Sequence, residues 1–160
     1  MTSLVQQPFI IRVYGIAIHQ NRLLVCDEFW FDTLMTKLPG GGMEYGEGTL
    51  ECLKRECREE LGQDVQIISH FYTTDFFQPA KFIEGRQLVS IYYTIKLDAP
   101  EKLQVVSKPF DFAAQKEGAM VMRWIDMDEL QDSVFTFPVD KKVIGMLLEQ
   151  WPDMRHHWSN

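Results

Sequence analysis

Glu56, Glu59 and Glu60 stand at i, i+3 and i+4 within Arg55-Glu56-Cys57-Arg58-Glu59-Glu60, so on a helix the three carboxylates share one face. Like charges at these spacings cost about 0.2–0.5 kcal/mol each. The trio also falls in the C-terminal half of the helix that the pattern predicts, where the macrodipole disfavours negative charge. A hard divalent cation would relieve both penalties, because clustered carboxylate oxygens suit magnesium or manganese. The same residues admit a second reading, a solvated charged face laced by the i, i+4 pairs Glu51–Arg55 and Arg55–Glu59.

Upstream stands Leu38-Pro39-Gly40-Gly41-Gly42-Met43-Glu44-Tyr45-Gly46, read as a glycine-rich loop whose backbone would let a phosphate or metal approach closely. It is not a Walker loop, since no Gly-Lys-Ser/Thr follows. Nor is it a dinucleotide fingerprint, since Tyr45 stands where a third glycine is required.

Loop and helix together spell Gly41-x5-Glu47-x7-Arg55-Glu56-Cys57-Arg58-Glu59-Glu60-Leu61-Gly62. This run, Gly41 to Gln63, resembles the Nudix hydrolase signature, Gly-x5-Glu-x7-Arg-Glu-U-x-Glu-Glu-x-Gly-U with U a bulky aliphatic. Every fixed glycine and charged position is filled. Two U positions depart: Cys57, a small hydrophobe when buried, and Gln63, beyond which Val65 is expected to take over the packing.

The resemblance implies a Nudix-type α/β/α sandwich with a mixed central β-sheet. It also implies divalent-metal-dependent hydrolysis of the diphosphate bond in a nucleoside diphosphate linked to another moiety. Carried over position by position, Glu56 and Glu60 are metal ligands and Glu59 a further ligand or base, with the Gly40 carbonyl as an added donor. Arg55 then orients the carboxylates, and Glu47 pairs with it or binds metal through water. The implied cofactor is Mg2+ or Mn2+. Family members differ in the source of the general base. Lys116-Glu117-Gly118 resembles the later loop that supplies it in some of them, which makes Glu117 a candidate against the alternative of an exposed loop glutamate. Asp111 and Glu84 rank behind it.

Trp30, Phe31, Phe76 and Phe77 lie in or beside loops, where aromatic rings either stack on a substrate base or join the core. Pro79 follows the signature at about the distance seen in ADP-ribose-cleaving members, so ADP-ribose or a nucleotide sugar leads, ahead of a nucleoside triphosphate. Two other outcomes belong to the same fold. A non-catalytic nucleotide or sugar sensor would show erosion at the glutamates, which are intact here. An isomerase of a diphosphate-bearing lipid precursor would need a cysteine and a glutamate poised at a carbon chain. Dimerisation is common in the family, so a homodimer is a further expectation.

The elements that must position these residues are legible from patterning. Residues 9–18, rich in β-branched and aromatic types, predict a strand, His19 to Arg22 a turn, and 23–31 its hairpin partner. The helix is expected over 47–61, closed by Gly62, with Leu50, Leu53, Cys57 and Leu61 as its packing face. Further strands are expected at 65–77, 87–97 and 119–125, with a loop at 79–85 and an extended connection over 98–118. The acidic Asp126-Met127-Asp128-Glu129 suits a helix start, and 139–151 reads as a closing helix.

The chain has 160 residues, 46% hydrophobic and 24% charged, enough for one packed domain over 1–160. A net charge of -7 speaks against a nucleic-acid polymer as partner, whereas a small nucleotide substrate remains compatible if a metal inverts the local sign. Cys26, Cys52 and Cys57 follow no disulfide spacing and read as reduced thiols. No apolar run approaches the roughly 20 residues needed to span a bilayer. Residues 1–8 lack the basic region and apolar stretch of a signal peptide. A cytoplasmic protein with no membrane partner is the expectation.

Overall fold

A computed structural model describes residues 8–158. β1 (Phe9–His19) and β2 (Arg22–Trp30) form the expected hairpin, but they pair only at its closed end, Ile18↔Leu23 and His19↔Arg22. Beyond that point the two strands separate. β1 continues beside β6 (Gln87–Leu97) in parallel, from Phe9↔Gln87 to Ala17↔Ile95. β2 continues between β3 (Thr33–Lys37) and β7 (Ala119–Asp126), antiparallel to both. The outer partner of β6 is β5 (Val65–Thr73), antiparallel to it. One mixed sheet thus splays into two halves, and the cleft described below opens where they part.

The glycine run departs from expectation. Gly40–Gly42 is a short strand, β4, antiparallel to β1 in the register Tyr14↔Gly40, Val13↔Gly41, Arg12↔Gly42. Alternation cannot reveal a strand that carries no side chains. At Gly40 (φ 142°) a Cβ would run into the Val13 carbonyl and lie 2.7 Å from the Tyr14 Cα, so only glycine allows this approach.

α1 (Thr49–Leu61) covers one face of the sheet and α2 (Pro138–Met154) the other. Residues alternate along β1 accordingly: Val13 and Ala17 pack with Leu53, Cys57 and Leu61 of α1, whereas Ile16 and Ile18 pack with Val143, Ile144 and Leu147 of α2. The result is the three-layer α/β/α arrangement with a mixed central sheet. α1 begins two residues later than expected and ends at Gly62 in the left-handed region (φ 67°), whose N–H bonds to the Arg58 carbonyl. Leu50 is exposed rather than packed, and Cys52 is buried in its stead, with its Sγ 3.9 Å from the Gly41 carbonyl. Gln63 does more than replace an aliphatic. Its amide nitrogen donates to the Ala99 carbonyl at 3.0 Å and its oxygen accepts from the Ala99 N–H at 2.8 Å, while Val65 packs in the α1 core.

The remaining connections also differ in places. β5 stops at Thr73 rather than 77, and the 98–118 connection contains one short 3-10 turn, Pro100–Lys102. Asp126 and Asp128 start no helix. Both accept a hydrogen bond from the Asn21 side-chain amide at 3.1 Å, tying the end of β7 to the β1–β2 turn. α2 starts instead at Pro138, whose fixed φ and missing N–H suit a first helical position.

Candidate active site

Arg55 organises the acidic face of α1. Its Nε and Nη2 donate to the two oxygens of Glu47 at 3.0 and 2.6 Å, and Nη2 also donates to the Gly42 carbonyl at 3.0 Å. Nη1 reaches Glu56 at 3.0 Å and Glu59 at 3.3 Å. One guanidinium therefore draws three carboxylates and β4 together, a fork geometry that lysine cannot supply. The hydrogen bonds from Arg55 hold the Glu47 carboxyl down at about 2, with the Glu44 N–H adding to the effect at 2.7 Å.

Glu60 lies deeper. One of its oxygens accepts the Gly40 N–H at 3.0 Å, so it is the amide of Gly40 that faces this carboxylate. Burial pushes the Glu60 carboxyl up to about 7, with Lys37 and the Gly40 N–H opposing and Glu56 and Glu28 reinforcing the rise. The acidic cluster is thus short of positive charge at its buried end. Hard oxygen donors with uncompensated negative charge fit a divalent cation by their chemistry. Among the described residues, no three such side chains already converge as a finished metal centre, because Arg55 stands between Glu56 and Glu59.

Gly41 is set by the same cluster. A Cβ at that position would lie 2.5 Å from both oxygens of Glu56. Replacing Gly41 by Ala is expected to displace Glu56 and cut kcat/KM by about 10²-fold, with little effect on the overall fold, as checked by steady-state kinetics beside circular dichroism. Activity within a few-fold of the parent chain would show that the position of Glu56 does not matter.

A cleft of about 380 Å³ opens between the separated halves of the sheet. Arg12 (β1), Glu28 (β2) and Lys37 (β3) supply its charged wall. Lys37 is buried and pairs with Glu28 at 2.8 Å. Arg12 donates to the Tyr14 hydroxyl at 2.5 Å and faces Gly42 in register. Tyr14, with Glu28 and Glu56 in support, holds its guanidinium above its ordinary value against the effect of burial. Asp140, at the start of α2, is wholly buried and accepts a hydrogen bond from Tyr92 at 2.5 Å. Burial raises its carboxyl to about 6, with Tyr92 opposing.

Of the four aromatic residues expected at the substrate, Trp30 and Phe31 line this cleft. Phe76 and Phe77 do not. Phe76 packs on the α2 core beneath Lys142, and Phe77 is largely solvent-exposed. Phe82 and Phe137 take their places along the wall. Both oxygens of Glu117 are engaged by the backbone, accepting from the Phe31 N–H at 2.9 Å and the Asp32 N–H at 3.0 Å. Patterning missed Arg12, Glu28, Lys37 and Asp140. A usable signal was present, because charged residues inside strands or helices that read as buried must find partners or a cavity.

A model of the NUDIX domain matches residues 9–144. None of the curated proteins matches the chain. Among solved structures, a NUDIX hydrolase from Nitrosomonas europaea aligns with a TM-score of 0.63 at 17% identity, covering 87% of each chain. The E. coli ORF135 protein aligns with a TM-score of 0.62 at 18% identity, over 97% of this chain and 96% of that one. An ADP-ribose pyrophosphatase from Streptococcus suis aligns with a TM-score of 0.55 at 14% identity, over 89% and 91%. At these identities the structural likeness shows the fold.

Proposed function

Because the chain belongs to the NUDIX domain family, we propose that it hydrolyses the diphosphate bond of a nucleoside diphosphate joined to a second moiety, of the ADP-ribose or nucleotide-sugar type. With every charged position of the signature filled, it is an enzyme acting on phosphorus anhydrides. One observation carries the substrate reading. A single cleft joins an aromatic end, Trp30, Phe31 and Phe82, to a charged end where Arg12 stands beside the Lys37–Glu28 pair, with Arg12 and Lys37 in electrostatic reach of Glu56 and Glu60 on the acidic helix. An aromatic wall suits a flat base, and two cations suit a diphosphate.

Glu56, Glu59 and Glu60 would hold a magnesium or manganese ion, which when bound supplies charge neutralisation on the diphosphate and a more acidic water. The chain's own residues do the rest. Arg55 keeps Glu56 and Glu59 aligned from behind, fixed in turn by Glu47 and the Gly42 carbonyl. Glu59, the most exposed of the three carboxylates and held only by long contacts from Arg55 Nη1 to its two oxygens (3.4 and 3.3 Å), would take the proton from water. Arg12 and Lys37 bind and orient phosphate oxygens.

The buried cysteines weigh against isomerase chemistry. Burial pushes the thiols of Cys52 and Cys57 up to about 12, and Cys26 rises likewise, so none is poised as an acid. Reduced thiols and the lack of a long apolar helix among the described residues are compatible with a cytoplasmic enzyme. A substrate screen across ADP-ribose, nucleotide sugars, dinucleoside polyphosphates and nucleoside triphosphates, with either ion, tests the reading. Preference for a triphosphate would overturn the substrate class, and no turnover at all would favour a sensor.

Ion binding has its own readout. A cation binding only the folded chain at 100 times its Kd adds about 2.7 kcal/mol of stability. For a domain of this size that raises Tm by roughly 5–10 °C. We expect such a rise in millimolar magnesium or manganese, reversed by chelator and lost in Glu60→Gln. A Tm indifferent to both ions would remove the metal site.

A further inference from the structure

The β2–β3 connection is a two-residue hairpin loop, Phe31-Asp32, with both residues in the left-handed region (φ 51° and 53°). Such loops favour Asn-Gly, and a bulky aromatic residue at positive φ is uncommon. Segment 116–118 holds this turn from outside. Glu117 accepts both turn amides, and the Gly118 N–H donates to the Phe29 carbonyl at 2.9 Å. Gly118 (φ 85°) also lies against the indole of Trp30, since a Cβ there would come within 3.3 Å of Trp30 Cζ2. Held this way, Phe31 is 61% exposed yet stacks on Phe82 from the β5–β6 connection, with centroids 4.6 Å apart and planes at 21°. Trp30, Phe31 and Phe82 together make the aromatic end of the cleft.

We infer that Glu117 and Gly118 form a seat that positions the Trp30–Phe31–Phe82 wall, so that Glu117 governs how well the planar part of the substrate is bound and takes no proton from water. This rests on the reading of the cleft as the substrate site. The role explains why an exposed loop glutamate accepts two adjacent amides, and why a bulky aromatic residue occupies a left-handed turn position that asparagine usually fills.

The test compares the parent chain with Glu117→Ala and Glu117→Gln. It uses amide hydrogen exchange at Phe31 and Asp32 in the free protein, and steady-state kinetics on ADP-ribose with manganese. In Glu117→Ala both amides are expected to exchange about tenfold faster, with KM up about three- to tenfold and kcat within about twofold. Glu117→Gln retains one acceptor oxygen, so it should protect one amide and recover part of the KM, which a lost general base would not do. Unchanged exchange at both amides overturns the seat. So does a fall in kcat at constant KM with no rescue by Gln. A parent chain that turns over no diphosphate sinks the substrate reading, and with it the binding role, while the exchange rates still decide whether Glu117 holds the turn.

Discussion

Glu56→Gln should lower kcat/KM by at least about 10²-fold while leaving Tm within a few degrees of the parent chain. The activity loss follows from position. Glu56 is fixed by Arg55 at 3.0 Å and by the absence of any side chain at Gly41. A neutral amide there keeps the shape but removes the charge that a divalent ion needs. The stability effect is small because two terms oppose. Glu56→Gln weakens one ion pair to a partly exposed arginine that keeps Glu47 and Glu59. It also relieves like-charge contacts with Glu59 and Glu60, each about 0.2–0.5 kcal/mol. Glu59→Gln should behave alike, whereas Glu149→Gln, exposed on α2, should leave kinetics unchanged. Parallel measurements of kcat/KM and thermal unfolding separate the cases. Full activity in both signature variants would refute the assigned roles, and a collapse of Tm would mark the carboxylates as structural.

Much of this site could be read from local spacing, because a helix converts sequence intervals directly into faces. Glu56, Glu59, Glu60 and Arg55 are within one and a half turns, so their juxtaposition needs no knowledge of the fold. The same holds for Gly62, whose left-handed conformation ends α1 where the pattern stops. What escaped was non-local or carried no side-chain signal. β4 is three glycines, and its strand character comes wholly from pairing with β1. Lys37 and Glu28 meet only because β2 and β3 fold back on each other. Arg12 and Asp140 share a cleft although 128 positions apart (140 − 12), because β1 and the start of α2 border the same gap in the sheet. Aromatic residues were the least legible of all. Hydrophobicity alone does not distinguish Phe31, which lines the cleft, from Phe76, which packs on α2.

Asp27 is the extreme case, and it sets the second large effect, this time on stability. It lies on β2 beside Glu28 but on the other face of the strand, away from the cleft. Its carboxylate is fully buried and saturated. It accepts from Arg123 Nε at 2.6 Å and Nη2 at 3.2 Å, from the Thr36 hydroxyl at 2.7 Å and from the Phe110 N–H at 3.1 Å. One side chain therefore joins β2, β3, β7 and the 98–118 connection. Asp27→Ala would strand a buried guanidinium, a hydroxyl and an amide, at a cost of about 3–5 kcal/mol. Tm should fall by about 10 °C or more. Removing both charges, as in Asp27→Leu with Arg123→Met, should cost much less than the single change, because no uncompensated charge is then left inside. Chemical denaturation of the two single variants and the double completes the cycle. A double variant as unstable as Asp27→Ala would mean that the packing of the β2–β3–β7 half fails for another reason. At low temperature, where Asp27→Ala remains folded, kcat/KM should stay near the parent value, since Glu28, Lys37 and Arg12 keep their places on the opposite side. The two acidic residues thus part company: Glu56, partly exposed, tolerates neutralisation structurally and fails chemically, and Asp27, fully buried, does the reverse, because internal partners compensate the charge of Asp27 completely whereas that of Glu56 is left available to a cation.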